Sequence, residues 1–407
     1  MTNCQILLLN LLSKTLFNKN TELTLTDEAE LLREAKNQAV VQLVYDEIKD
    51  DLSEEAEIGW REYALASFAN NMQVIYNHAL LNEWLSAESI PYVILKGCSS
   101  AFYYPNPKMR GMGDVDFLVP GDQLDKAGEV LEKHGLKSWK EKHIAHIVYC
   151  ASGMHYEMHF DAAGVPNGEA GDLVHEYLAD IYEKSSLQPI EGGEVVMPSP
   201  FHHGLILLLH TCHHMTGGGI GLRHLCDWAV FENGFSEEEF RNLFEEPLKS
   251  IGLWKFAQVL TGISVKYLGA DEKGWAEYDS RIVDMLMEDI LAGGNFGIKD
   301  GSRSMQTMLI SNHGKDGVGK TNMIMQLVKS INNTIYLNWP KARKCKLMLP
   351  IGWFFWGVRR IIRELTGKRK KTDIKQTVKG ASYRRKLYKQ LNIYERETTL
   401  TVHNTND

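Results

Sequence analysis

A chain of 407 residues with 44% apolar and 24% charged residues is too long for one compact core, and its ordinary composition fits a globular protein. Six scattered cysteines, Cys4, Cys98, Cys150, Cys212, Cys226 and Cys345, form no C-x-x-C pair and speak for a reducing compartment over a disulfide framework. The net charge of −7 hides an asymmetry: between Lys341 and Lys389, 17 Lys or Arg face two acids, giving +15 there and −22 in the remainder.

The opening MTNCQILLLNLLSK lacks a basic region and a small-residue cleavage site, so no signal peptide is expected. No apolar run approaches the ~18 residues that cross a bilayer, and the expected location is cytoplasmic. Residues 1 to about 88 read as helices. Thr26-Asp27 precedes EAELLREAKNQAVVQLVYDEI, with acids in the first turn and an apolar stripe at helical spacing. The stretch from Trp60 to Ile90 is free of Pro and Gly and reads as one or two further helices.

Pro91 to Leu95 is a short β-rich run broken by Gly97. Residues 98 to 104 read as helix, 105 to 113 as a Pro/Gly loop and 114 to 119 as a strand; Leu124 to His134 is a helix ending at Gly135. Ile144 to Cys150 and His155 to Phe160 read as strands joined through Ser152-Gly153, a hairpin signal, and Glu194 to Met197 as a further strand. From Phe201 the pattern is helical, broken at Gly217-Gly218-Gly219, until about residue 292. Residues 295 to 320 read as a polar loop. The expected fold is α+β, a small mixed sheet flanked by helical regions. The expected divisions are 1–88 (N-terminal helices), 89–200 (sheet core), 201–350 (C-terminal helices) and 351–407 (aromatic and basic helix and tail).

The most informative segment is Leu95 to Val119. It ends in Asp114-Val115-Asp116 within an apolar run, and strand alternation puts both carboxylates on one face, about 6 to 7 Å apart. Like charges so placed repel, and a divalent metal is their natural counter-ion; carboxylates that bridge Mg²⁺ serve phosphoryl and nucleotidyl transfer. Lys96-Gly97, one helix-length earlier, could cradle a phosphate.

These residues resemble the nucleotidyltransferase (polymerase-beta-like) superfamily, and most closely its uncharacterised bacterial members marked by LKG…YP…R…GD-x-D. The match comprises Leu95-Lys96-Gly97, Tyr104-Pro105, Arg110, Gly113, Asp114 and Asp116, then Tyr156-Glu157-Met158-His159 and Gly221-Leu222-Arg223-His224-Leu225-Cys226-Asp227. The resemblance implies a Mg²⁺-dependent transfer of NMP from an NTP donor to a hydroxyl acceptor not readable from the sequence, with Asp114 and Asp116 as metal ligands. Glu157 would be the third carboxylate, as ligand or proton acceptor, with His159 and Asp161 on the same face as substitutes. Lys96 and Arg110 would meet phosphate oxygens, Arg110 through a bidentate fork, and Gly97 would let the backbone approach. The superfamily's Gly-Ser is here Lys96-Gly97-Cys98, so the phosphate-touching hydroxyl is open, Ser99 or Ser100. The alternative is a catalytically inactive relative that keeps the fold as a binding or scaffold protein.

Four further features carry two readings each. His210 and His214 stand at i and i+4, the spacing of zinc ligands, without an H-E-x-x-H motif. Arg223 is either a nucleotide contact or an i,i+4 brace for Asp227. Gly314 to Thr321 satisfies G-x-x-x-x-G-K-[ST], but it lacks a preceding apolar strand and a downstream strand ending in Asp. The aromatic and basic C-terminal stretch reads either as an amphipathic helix packing Trp353, Phe354 and Trp356 followed by a solvated tail, or as a weak contact with an anionic surface.

Overall fold

Residues 1–20, 24–25, 27–139, 145–310, 322–366 and 373–395 are described by a computed structural model. The N-terminal helices form where their starts are capped. Thr2 and Gln5 make a capping box for α1 (Asn3–Phe17), and Asp27 Oδ1 accepts from Glu30 N at 2.9 Å to start α2 (Glu28–Gln38). After α3 (Val41–Ile48), α4 (Glu54–Ala87) runs 34 residues unbroken from its Ser53 cap.

The sheet then assembles from β1 (Val93–Ile94), β2 (Val115–Leu118), β3 (Lys137–Ser138), β4 (His146–Ala151) and β5 (Met154–His159), in the order β1-β2-β5-β4-β3. Between them lie α5 (Cys98–Ala101) and α6 (Leu124–Lys133). β4 and β5 form the expected hairpin, turning at Ser152 (φ 49°) and Gly153 (φ 81°), the two positive dihedrals of a primed turn. β2 and β5 pair in parallel, whereas the other pairs are antiparallel, so the sheet is mixed as expected. Its core takes Val115, Phe117 and Met158 from the strands and Val74, Leu81 and Leu85 from the second half of α4.

After α7 (Glu169–Leu178) comes a two-stranded ribbon, β6 (Ser186–Ile190) and β7 (Gly193–Met197). β7 was expected and β6 was not: β6 is largely exposed and contains Pro189, so it shows no alternation of apolar residues.

The helices α8 (Pro200–Thr216), α9 (Leu222–Asn233), α10 (Glu237–Ile251), α11 (Trp254–Ile263) and α12 (Ser280–Gly293) build a second core. Leu8, Leu12 and Val44 of α1 and α3 bury in that same core, so residues 1–88 divide between it and the sheet. Two expectations need correction. The presumed loop after residue 295 contains α13 (Arg303–Ile310), and the Gly314 to Thr321 motif lies outside the described residues. The presumed solvated tail contains α16 (Ile374–Leu391), which follows α14 (Met323–Asn338) and α15 (Leu349–Leu365) and returns to the core. Ala381, Leu387 and Leu391 are buried there, and Arg384 Nη2 donates to the carbonyls of Met215 (2.8 Å) and Gly217 (2.9 Å). Its charge meets the exposed carbonyl end of α8, where a cation is favoured. Among the described residues no helix is long and apolar enough to cross a membrane.

Candidate active site

The parallel register of β2 and β5 sets Asp116 beside Glu157, on a cavity of about 250 Å³ that Asp114 also lines. Asp116 is buried, with Lys96 Nζ at 2.9 Å and His159 Nε2 at 3.2 Å. Glu157 is 3.5 Å from His159 Nε2 and 3.9 Å from His146 Nε2, and half-exposed Asp114 is 3.7 Å from His155 Nδ1. Burial would raise the Asp116 carboxyl, but Lys96 and His159 overcome it and hold the group well below the carboxylate range. Burial opposes the His159 imidazolium, and the bonds to Asp116 and Glu157 prevail and raise its pKa. Asp114 is pushed up, by burial first and then by the negative charges of Asp116 and Glu157.

Three carboxylates therefore share this wall with a single lysine, and the charges of Asp116 and Glu157 add to the burial that pushes Asp114 up. Carboxylate oxygens of this kind suit a hard divalent cation such as Mg²⁺, although Asp114, Asp116 and Glu157 are not themselves a group whose ligand atoms gather within 4.8 Å among the described residues. Beside them, ligand atoms of His146, Glu157 and His159 lie within 4.8 Å of one another, a mixed set that suits a softer ion such as Zn²⁺. Of the two substitutes for Glu157, His159 converges on the site. Asp161 does not: it accepts from Ala162 N (2.8 Å) and pairs with His175 (3.1 Å).

Lys96 and Gly97 sit where β1 gives way to α5. Gly97 has φ 64° and ψ −112°, and an added Cβ would lie 2.9 Å from His78 Cε1. Glycine is required twice over, by conformation and by space. Gly97→Ala is expected to lower stability by about 1–3 kcal/mol, read as a shift in the denaturant midpoint; an unchanged midpoint would mean that His78 yields freely. Ser99 Oγ donates to the Lys96 carbonyl at 3.3 Å, and Ser100 Oγ is buried without a partner; neither serine lines the cavity.

The opposite wall comes from α8 and α9. Arg110 does not offer its fork to the cavity: Nε and Nη2 donate to Asp227 Oδ1 (2.8 Å) and Oδ2 (2.7 Å), and Tyr104 OH also donates to Oδ1 (2.7 Å). Asp227 is thus held by Arg110, not by an i,i+4 pair with Arg223. Arg223 makes one long bond, Nη1 to Gly111 O (3.5 Å), and lies over the Phe296 ring at 5.6 Å. Its Nε is buried without a hydrogen-bond partner.

His210, His214 and His224 close the wall, with ring centroids 4.3 Å (210–214), 5.8 Å (210–224) and 5.7 Å (214–224) apart. Burial, and then neighbouring charges and rings, keep all three neutral near pH 7; His214 is pushed down to about 3. They do not assemble as metal ligands, since among the described residues the group that gathers is His146, Glu157 and His159. In His224, Nδ1 accepts from Gly221 N at 3.4 Å, which leaves the ring proton on Nε2, buried and without an acceptor. The cavity wall therefore presents two buried, unanswered donors, Arg223 Nε and His224 Nε2. His146 and Phe296 were not legible as site residues, and His224 only as part of a motif: Phe296 stands in the Gly293–Gly297 turn, 69 positions beyond Asp227, where the motif it joins ends.

Residues 24–269 match the model of a family described as uncharacterised nucleotidyltransferase. No curated protein and no solved structure matches the chain.

Proposed function

The chain belongs to the uncharacterised nucleotidyltransferase family, and on that premise we propose that it moves NMP from an NTP to a hydroxyl acceptor at the cavity between β5 and α9. The observation that carries the reading is the register placing Asp116 beside Glu157, with Asp114 on the same cavity. In such a transfer the acceptor oxygen bonds to the α-phosphorus, the α–β bridging P–O bond breaks, and pyrophosphate leaves. Mg²⁺ held by Asp114, Asp116 and Glu157 would draw charge from the phosphate oxygens.

The chain's own groups then have distinct tasks. Glu157, which has no lysine partner, would either complete the metal's ligand set or accept the acceptor's hydroxyl proton. Lys96, whose ammonium balances Asp116 in the free protein, turns to a phosphate oxygen. Gly97 keeps the backbone close enough for phosphate approach. Arg223 Nε and His224 Nε2 are buried donors that an anionic oxygen would answer, which supports a phosphate-bearing ligand over a neutral one. Arg110 and Ser99 act as supports of this wall, through Asp227 and the Lys96 carbonyl.

Calorimetric titration with ATP, GTP, CTP and UTP, with and without Mg²⁺, tests the reading on wild type and Asp116→Asn. The expected result is metal-dependent binding of at least one nucleotide, weakened at least a hundredfold in the variant, as loss of a charged first-contact group implies (about 3 kcal/mol). Binding indifferent to Asp116→Asn, or none, would overturn it in favour of a fold retained without the chemistry.

A further inference from the structure

Helix α15 carries its apolar stripe on the outside. Toward α14 it turns buried Gly352, whose missing Cβ would sit 2.7 Å from Ile335 Cγ2, and Trp353, whose Nε1 donates to Asn332 Oδ1 at 2.9 Å. Trp356 joins the same small cluster. On the other side Ile351, Phe354, Phe355, Ile361, Ile362 and Leu365 are each between 52% and 79% exposed. Their spacings of three and four residues gather them into one stripe roughly 120° wide. A helix that served only the core would bury that stripe.

The charges beside it select its partner. Arg359 is exposed and borders the stripe; Arg363 is exposed further round, on the side of Gly352 and Trp356, and Arg360 beyond it is tied to Glu364 at 3.5 Å and lies over Trp356. The surrounding sequence, Lys341 to Lys389, carries +15. Two copies meeting stripe to stripe would bring their Arg359 side chains and their basic flanks together, a like-charge arrangement that disfavours a symmetric dimer. An anionic bilayer surface offers both the apolar depth for Phe354 and Ile361 and the negative headgroups for Arg359. No described helix is suited to crossing a membrane, so α15 would lie in the interface plane.

We propose that α15 is a docking helix that seats the protein on anionic lipid surfaces. This surface is independent of the chemistry in the cavity. The full chain is floated with phosphatidylcholine vesicles with and without phosphatidylglycerol, at low and raised salt. Binding is expected only to the anionic vesicles, and salt should weaken it. Phe354→Ser with Ile361→Ser should abolish it, and Arg359→Gln should weaken it roughly fivefold, the worth of one charge near the surface. Because these side chains are exposed, unchanged circular dichroism and thermal unfolding certify that the variants are folded. No flotation of the wild type, equal flotation on neutral vesicles, or apolar variants that float unimpaired would overturn the proposal. So would a concentration-dependent dimer in sedimentation that the apolar variants dissolve.

Discussion

Asp227→Asn is expected to cost about 3–5 kcal/mol of stability, the range for removing one partner of a buried ion pair. Asp227 is 4% exposed and is the carboxylate answering Arg110, itself 6% exposed, through two bonds of 2.8 and 2.7 Å. Arg223 stands close enough for each guanidinium to disfavour the other's charge. The amide keeps an acceptor for Tyr104 but leaves two buried cations without a carboxylate between them. The loss reaches the site, because Arg110 Nη1 also holds the carbonyls of Gly97 (3.4 Å) and Gly111 (3.3 Å). The pair thus ties α9, in the helical core, to the loops that precede β2 in the sheet core. Urea unfolding of Asp227→Asn, and of Arg110→Met with Asp227→Leu, separates the contributions. The double variant should recover most of the lost stability while still weakening nucleotide binding, since apolar packing replaces the pair's energy but not its grip on the two loops. A loss below about 1 kcal/mol in the single variant would mean that water reaches the pair and that it does not brace the wall.

The carboxylates were legible because their cue is local. Asp114 and Asp116 interrupt an apolar strand, and Ser152-Gly153 announces the hairpin that delivers Glu157; each signal fits within a few residues. What joins them is not local. The parallel pairing of β2 with β5 is set by a crossover that spans α6, β3 and β4, and no residue in either strand encodes its register. Arg110 looked like a phosphate ligand by type, yet its partner lies 117 positions away, and only the packed chain shows the fork to be engaged. Charge misled at the C-terminus for a similar reason. Composition reads Arg384 as solvated, whereas a buried arginine is stable where backbone carbonyls converge, here those of Met215 and Gly217. The amphipathic period of α15 was visible in the sequence, but periodicity cannot say which face turns outward.

Glu232→Gln is expected to remove a steep fall in stability between about pH 5 and pH 8. Glu232 is fully buried in α9, and neither carboxyl oxygen has a hydrogen-bond partner among the described residues. Burial pushes its pKa from 4.5 up to about 8; Lys273 opposes the rise and Asp271 adds to it. The folded value lies above the unfolded one, so between the two the folded chain holds a proton that the unfolded chain has released. Stability from this group is therefore fullest below the unfolded value, declines by about 1.4 kcal/mol per pH unit through the window, and levels off above the folded value. Over three units the decline is on the order of 4 kcal/mol, and for a chain of this size each kcal/mol moves Tm by about 2–4 °C. Glutamine keeps the shape and never ionises. The variant and wild type should melt together near pH 5, and the variant should melt roughly 10 °C higher near pH 8. Parallel curves across that range would show that the ionised carboxylate reaches water and that burial does not govern it. Because α9 also carries Arg223, His224 and Asp227, alkaline weakening at Glu232 would loosen the helix on which that wall of the cavity is mounted. Nucleotide binding by the wild type should then fall with pH more steeply than in Glu232→Gln.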